Sequence, residues 1–286
     1  MYGRAQAPGT CGELVQGRLD GIDFMVTCPV DLWSCVEVSV DCKRAGRREY
    51  TSRTKAGQAV ECTLARLGQP GRAFSYRVAS SIPVGKGMAS SSADIAAACV
   101  AAARALGKAI SAEEVADIAL SIEPTDGLMY PGIALFDHRM GRIRRTLGCA
   151  PPMDVIIVDP GGTVDTLMFN RRPDLAFLNR KKEREVEEAL SLVEQGVIRG
   201  DPELIGCGAT LSAMANQGIL EKPALDRCIR MGRELGAVGV NVAHSGTVIG
   251  LLFDRRNGPG PDAVRYASGK LNLPVMKASI IGGGVK

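Results

Sequence analysis

The sequence predicts an α+β fold in two domains, residues 1–150 and 151–286. Three observations carry that reading. Short β-like runs fill the first stretch and return near the end of the chain, while segments with apolar residues at helical spacing lie between and after them. A strand-like run, a glycine turn and an alanine-rich helix follow one another between Ala73 and Leu106. A Pro151-Pro152 pair between two strand-like runs marks the boundary. With 286 residues, 45% of them hydrophobic, the chain can fill an ample core.

In order along the chain, Arg4–Ala7, Met25–Cys28 and Ser34–Val40 read as short strands, the last alternating valines with Glu37 and Ser39. Polar and glycine-containing residues from Lys43 to Gln58 read as a hairpin loop or excursion, followed by a short apolar helix or strand at Ala59–Leu67. Ala73–Ser80 alternates again as a strand. Ser90–Leu106 reads as a helix stopped by Gly107, and Ser111-Ala112-Glu113-Glu114 as a capping box opening a second helix through Ile122. Pro124 disfavours helix at Glu123, so Glu123-Pro124-Thr125-Asp126-Gly127 is a turn holding two carboxylates. Ile133–Phe136 and Met153–Val158 read as strands. Helices follow at Asp174–Gln195, Pro202–Ala215 and Pro223–Leu235, then strands Val238–Val242 and Thr247–Phe253 joined by Ala243-His244-Ser245-Gly246. A helix at Pro261–Leu271 and a strand at Val275–Ile281 close the fold.

The most informative stretch comprises Pro83, Val84, Gly85, Lys86, Gly87, Met88, Ala89, Ser90, Ser91, Ser92 and Ala93. Two glycines let backbone approach a ligand, and three serines stand where a helix begins, with hydroxyls suited to capping it. The first helical N–H groups lack intrahelical acceptors and face the positive end of the macrodipole, which suits an anion such as phosphate. An ordinary loop and cap would need only one such serine. The spacing matches neither Gly-x-x-x-x-Gly-Lys-Ser/Thr nor Gly-x-Gly-x-x-Gly.

Bulk properties narrow the remaining classes. Net charge is only +4 and aromatics are 4%, which disfavours nucleic-acid binding; the densest basic run, Arg171–Arg184, has acids beside it and reads as a solvated helix face. Nine cysteines form an odd number without a Cys-x-x-Cys pair, and His138 and His244 are the only histidines, so reduced thiols in a cytoplasmic protein are expected rather than disulfides or structural zinc. No apolar run is long enough for a membrane span.

Pro83–Ala93 resembles the Pro-x-x-x-Gly-Leu-x-Ser-Ser-x-Ala motif of the GHMP small-molecule kinases, with Met88 in place of the leucine. Ala7-Pro8-Gly9-Thr10-Cys11-Gly12-Glu13-Leu14-Val15-Gln16-Gly17 is similar to that superfamily's first motif, and Ala243-His244-Ser245-Gly246-Thr247 stands where it has a glycine-rich turn. The resemblance implies the GHMP kinase fold, with an N-terminal ribosomal-S5-like α/β domain and a C-terminal ferredoxin-like α+β sandwich. It implies ATP bound by residues 83–93, with Lys86 on the phosphates, and Mg²⁺ held by Ser91 and Glu123. It places Asp126 as the catalytic base, Gly12 and Glu13 at the acceptor pocket, and His244 in the turn closing over the site. The first motif and the Glu123–Gly127 turn most resemble the branch that phosphorylates L-threonine to L-threonine O-3-phosphate for the aminopropanol linker of cobalamin. Homoserine kinase, another small-molecule kinase of the family, and a non-catalytic nucleotide-binding member stand as alternatives. Thr10 departs from the Lys or Arg that many relatives carry there.

Overall fold

One antiparallel sheet carries the fold in the computed structural model, which describes residues 1–41, 54–164, 168–169 and 171–286. Strand β1 (Tyr2–Leu19) turns through Asp20-Gly21 into β2 (Ile22–Val40). Both turn residues are left-handed, φ 50° and 77°, as a two-residue hairpin turn requires. The short strands expected in this region are therefore parts of two long ones. Glycines and prolines that read as breaks are absorbed as bulges, with register slips between Pro8 and Gly9 and on both sides of Glu13. A bulge bends an antiparallel strand without ending it.

Helix α1 (Lys55–Arg66), capped by Thr54, begins inside the segment expected to be a polar excursion. The rest of that excursion, residues 43–53, lies outside the described residues. Strand β3 (Phe74–Ser80) pairs with the far half of β2 and leads into the glycine loop. Helix α2 (Ser90–Ala105) packs against β1, β2 and α1, and its alanines are buried almost all round. Small side chains allow that close approach. Helix α3 (Ala112–Ile122) opens with the expected capping box, Ser111 and Glu114 each bonding the other's backbone. Strands β4 (Ile133–Phe136), β5 (Arg144–Gly148) and β6 (Met153–Val158) follow. Strand β5 has no apolar alternation to announce it, because it lies at the sheet edge and carries Arg144 and Arg145.

The single helix expected over Asp174–Gln195 is two, α4 (Leu175–Lys181) and α5 (Glu183–Arg199). Between them Lys182 leaves helical geometry at φ −104°, ψ 9°, and its side chain is buried rather than solvated. Helices α6 (Pro202–Ala215) and α7 (Leu225–Glu234) follow, then β7 (Gly239–Val242), β8 (Ile249–Asp254), α8 (Ala263–Leu271) and β9 (Val275–Ser279). The sheet runs β5-β4-β2-β1-β7-β8-β6-β9, with β3 also on β2. Among the described residues, no helix is long and apolar enough to cross a membrane.

Among the described residues β1 and β7 meet in register at one pair, Glu13 opposite Val242. Gly12 makes that meeting close: its φ is +54°, and a Cβ there would lie 2.5 Å from Ala243 N and from Val242 O. Gly12→Ala should therefore destabilise the protein by about 2–3 kcal/mol, through left-handed strain and overpacking against backbone. Urea unfolding at an unchanged slope would show this as a lower midpoint. An unchanged midpoint would mean that β1 and β7 can part without cost.

Candidate active site

The glycine loop is held from two sides. Gly85 and Gly87 are left-handed, φ 73° and 79°. A Cβ on Gly87 would stand 2.4 Å from Ala243 Cβ and 2.8 Å from Gly246 Cα, so the 243–247 turn presses directly on the loop. Thr247 N–H donates to Lys86 O (2.9 Å), and from the first motif Thr10 N–H donates to Met88 O (3.0 Å). The three motifs thus converge in space.

Helix α2 has no serine cap, contrary to the capping expected of Ser90–Ser92. Its N-cap is Ala89, left-handed at φ 57°, with no side-chain hydrogen bond to the first turn. The serines fall inside the helix, where their hydroxyls turn sideways. Ser91 Oγ donates to Glu123 Oε1, and Ser92 Oγ donates to Asp126 Oδ2 (3.0 Å) while accepting Asp126 N–H (3.3 Å). The helix's first amides stay uncapped by side chains, which is the condition for an anion to bind them.

A cavity of about 390 Å³ opens in front of this loop. Pro83, Val84, Gly85, Gly87, Met88, Ala89 and Ser90–Ser92 line it from the loop and helix start, together with Glu13, Gln16, Met25, Lys55, Glu123–Asp126, His138 and Ser245. Four expected residues do not line it. Lys86 turns away to pair with Asp159 (2.9 Å) and to donate to Gly162 O (2.8 Å). Ala93 is buried in α2, Gly12 packs on the 242–243 backbone, and His244 lies behind Glu13.

Glu13 accepts His244 backbone N–H (2.9 Å) and the ring at Nδ1 (3.0 Å) on Oε2. Nδ1 also faces Val242 O, so it carries the proton, and Nε2 accepts from Ser212 Oγ (3.0 Å). Burial holds His244 neutral, its pKa well below the usual value. Burial likewise pushes Glu13 up to about 7, outweighing the His244 amide and the nearby charges of Lys222 and Lys182. Asp126 is raised to about 7, first by burial and then by the charge of Glu13. These two lysines, each lowered to about 8 by burial, are the cations acting on Glu13, whereas Thr10 is fully buried away from the cavity. Lys55 Nζ pairs with Glu123 Oε2 (2.5 Å).

Sequence reading missed Lys55, Gln16, Lys182 and His138. Lys55 lay in a polar segment, and Lys182 lay in a charged run that resembles a solvated face. Gln16 stood within the first motif, next to the glutamate that drew the functional reading. Ser91 and Glu123 offer two adjacent hard oxygen donors. That donor set suits Mg²⁺, which keeps waters and binds substrate phosphates rather than needing a full protein cage. Among the described residues no group of three or more His, Cys, Asp or Glu could hold a metal.

The family model for the N-terminal domain of GHMP kinases matches residues 54–135, and that for the C-terminal domain matches residues 181–260. The chain is 37% identical to the L-threonine kinase of Salmonella typhimurium over 255 residues, covering 88% of this chain and 83% of that protein. It is 36% identical to the L-threonine kinase of Citrobacter freundii over 253 residues, covering 88% and 86%. The crystal structure of homoserine kinase from Cytophaga hutchinsonii superposes with a TM-score of 0.74 at 16% identity, covering 100% of this chain and 96% of that one, which shows a shared fold.

Raised carboxylate pKa values set the sign of a stability effect. A carboxyl that holds its proton more tightly when folded costs stability as pH climbs from its unfolded value, near 4, past about 7. Asp126→Asn should therefore stabilise the unliganded protein by about 1–3 kcal/mol at pH 8, with the gain vanishing towards pH 4. Urea unfolding of both proteins across that range checks it. A gain that persists at pH 4 would point to packing rather than charge.

Proposed function

The chain belongs to the GHMP kinases, and on that premise we propose that it transfers the terminal phosphate of ATP to the side-chain hydroxyl of L-threonine, giving L-threonine O-3-phosphate. The observation that carries this reading is one cavity lined both by an uncapped helix start with its glycine loop and by Asp126, which Ser92 of that helix holds. The choice of L-threonine rests on the two threonine kinases at 36–37% identity over most of their length.

Phosphoryl transfer asks the protein for position and charge rather than covalent chemistry. The amides of residues 85–91 would grip the phosphates. Ser91 and Glu123 would hold Mg²⁺, which neutralises phosphate charge when bound. Lys55 lines the same cavity beside Glu123 and would add its charge to the phosphates on leaving that carboxylate. Asp126 takes the hydroxyl proton as the acceptor oxygen bonds to phosphorus, and ADP departs with the electrons of the broken bond. A carboxylate tuned to about 7 is matched to that task at neutral pH. Glu13, fixed by His244, would pair with the acceptor ammonium group. Use of the product for the aminopropanol linker of cobalamin, in the cytoplasm, belongs to the same proposal. It is supported by the Glu123–Gly127 turn and by the eight free thiols among the described residues.

ADP release with ATP and Mg²⁺ against L-threonine, L-serine, L-homoserine, mevalonate and galactose tests the reading, with strong preference for L-threonine expected. Preference for L-homoserine would move the substrate and keep the mechanism. Asp126→Asn should lower kcat by about 100-fold or more and leave the KM for ATP within a few-fold. A base must be deprotonated to act, so kcat/KM should climb with pH and level off above about 7. A profile flat from pH 5 to 8 would remove Asp126 from that role.

A further inference from the structure

We infer that His138 and Lys182 form the subsite that reads the α-carboxylate of the acceptor, an inference that rests on the amino-acid kinase reading and deepens it. A small cavity of about 20 Å³ adjoins the main one and shares Gln16 and His138 with it. Its walls also include Asp23, Arg139, Lys182 and Asn216. That volume holds about one water-sized group, hence a single carboxylate oxygen and no side chain.

The chemistry of the walls selects an anion. Asp23 pairs with Arg139 (3.1 Å) and is thereby offset. Lys182 is 6% exposed and spends two ammonium donors on Gln16 O (3.2 Å) and Asn216 Oδ1 (3.1 Å). Among the described residues no carboxylate lies within ion-pair distance of it, so a third donor is left over and Glu13 acts on its charge only from beyond contact. A buried cation with no carboxylate in contact is costly to keep and gains from an arriving anion. His138 is also 6% exposed, and its Nδ1 is buried with no hydrogen-bond partner. Buried polar atoms are rarely left so without reason. A neutral imidazole can donate one N–H, and burial keeps this one neutral, with its pKa lowered to about 4.

The other groups around the main cavity fit the same pose. Glu13 and Asp126 are acidic, so the acceptor ammonium turns to Glu13, the hydroxyl to Asp126, and the carboxylate to the gap between Gln16 and His138. Lys222 is the other buried lysine near Glu13, but it donates to Gly246 O (2.7 Å) and lines a different cavity.

The test compares L-threonine with L-threoninamide, which keeps the ammonium and hydroxyl groups and lacks the carboxylate charge. The wild-type protein should favour L-threonine, and Lys182→Met should cut that preference about 10- to 100-fold, mostly through the KM for L-threonine, while the KM for ATP stays near its wild-type value. Lys182→Arg should restore part of it. Where Lys182→Met does not fold, His138→Phe carries the test, with a smaller loss of the same preference. Loss of both acceptors in parallel would show that Lys182 only holds the fold and would overturn the subsite. Should the wild type refuse L-threonine but accept another amino-acid alcohol, the substrate assignment falls, and the subsite is tested on that acceptor and its amide. Turnover confined to alcohols without a carboxylate overturns it outright.

Discussion

The rest of the site depends on the meeting of Glu13 with His244. It lies where the first hairpin touches β7, at the pair Glu13 opposite Val242, and there a carboxylate accepts both a backbone and a ring N–H from the same histidine. Ser212 anchors the far ring nitrogen and also accepts Gln16 N–H, so α6, the first motif and the 243–247 turn share one buried network. Every member is needed by another, because each unpaired donor or acceptor would be buried without water. The turn held in this way then presses on Gly87 and bonds Lys86 O, so the loop that faces the phosphates inherits its shape from a contact more than 150 residues away in sequence.

Charge inside the cavity is arranged at some expense to the fold. Burial raises the proton affinity of two carboxylates, the charge of Glu13 raises that of Asp126 further, and two lysines nearby lose affinity through burial. None of this favours folding the empty protein, and all of it suits a ligand that brings both a positive and a negative group. The Ser91, Glu123 and Lys55 cluster has the same character: hard oxygens and a cation already in contact, at the border between loop and α3.

Much of the architecture was legible along the chain. The helices at Ser90–Ala105, Ala112–Ile122 and Pro202–Ala215, and the strands at β4 and β6, follow from periodicity, capping residues and β-branched runs. The long first hairpin reads only as short strands, because glycines and prolines that become bulges look like strand ends and the Asp20-Gly21 turn goes unused. Edge strand β5 and the break at Lys182 were not legible, because each carries charged residues that usually mark solvent.

By itself the sequence determined the local devices: a glycine-rich loop running into a helix, two carboxylates in a proline turn, and a Gly-Glu pair after a strand-like run. These are set by backbone conformation and near-neighbour chemistry, which act over a few residues. Only the tertiary structure decided how they are used. It turned Lys86 outward to Asp159, put His244 behind Glu13 instead of in the cavity, and brought Lys55 and His138 to its walls and Lys182 to the small cavity beside it. The physical reason is that burial and pairing are properties of the packed whole. A lysine in a charged run and a lone histidine carry no sign of whether water or an empty pocket will face them until the sheet and helices close.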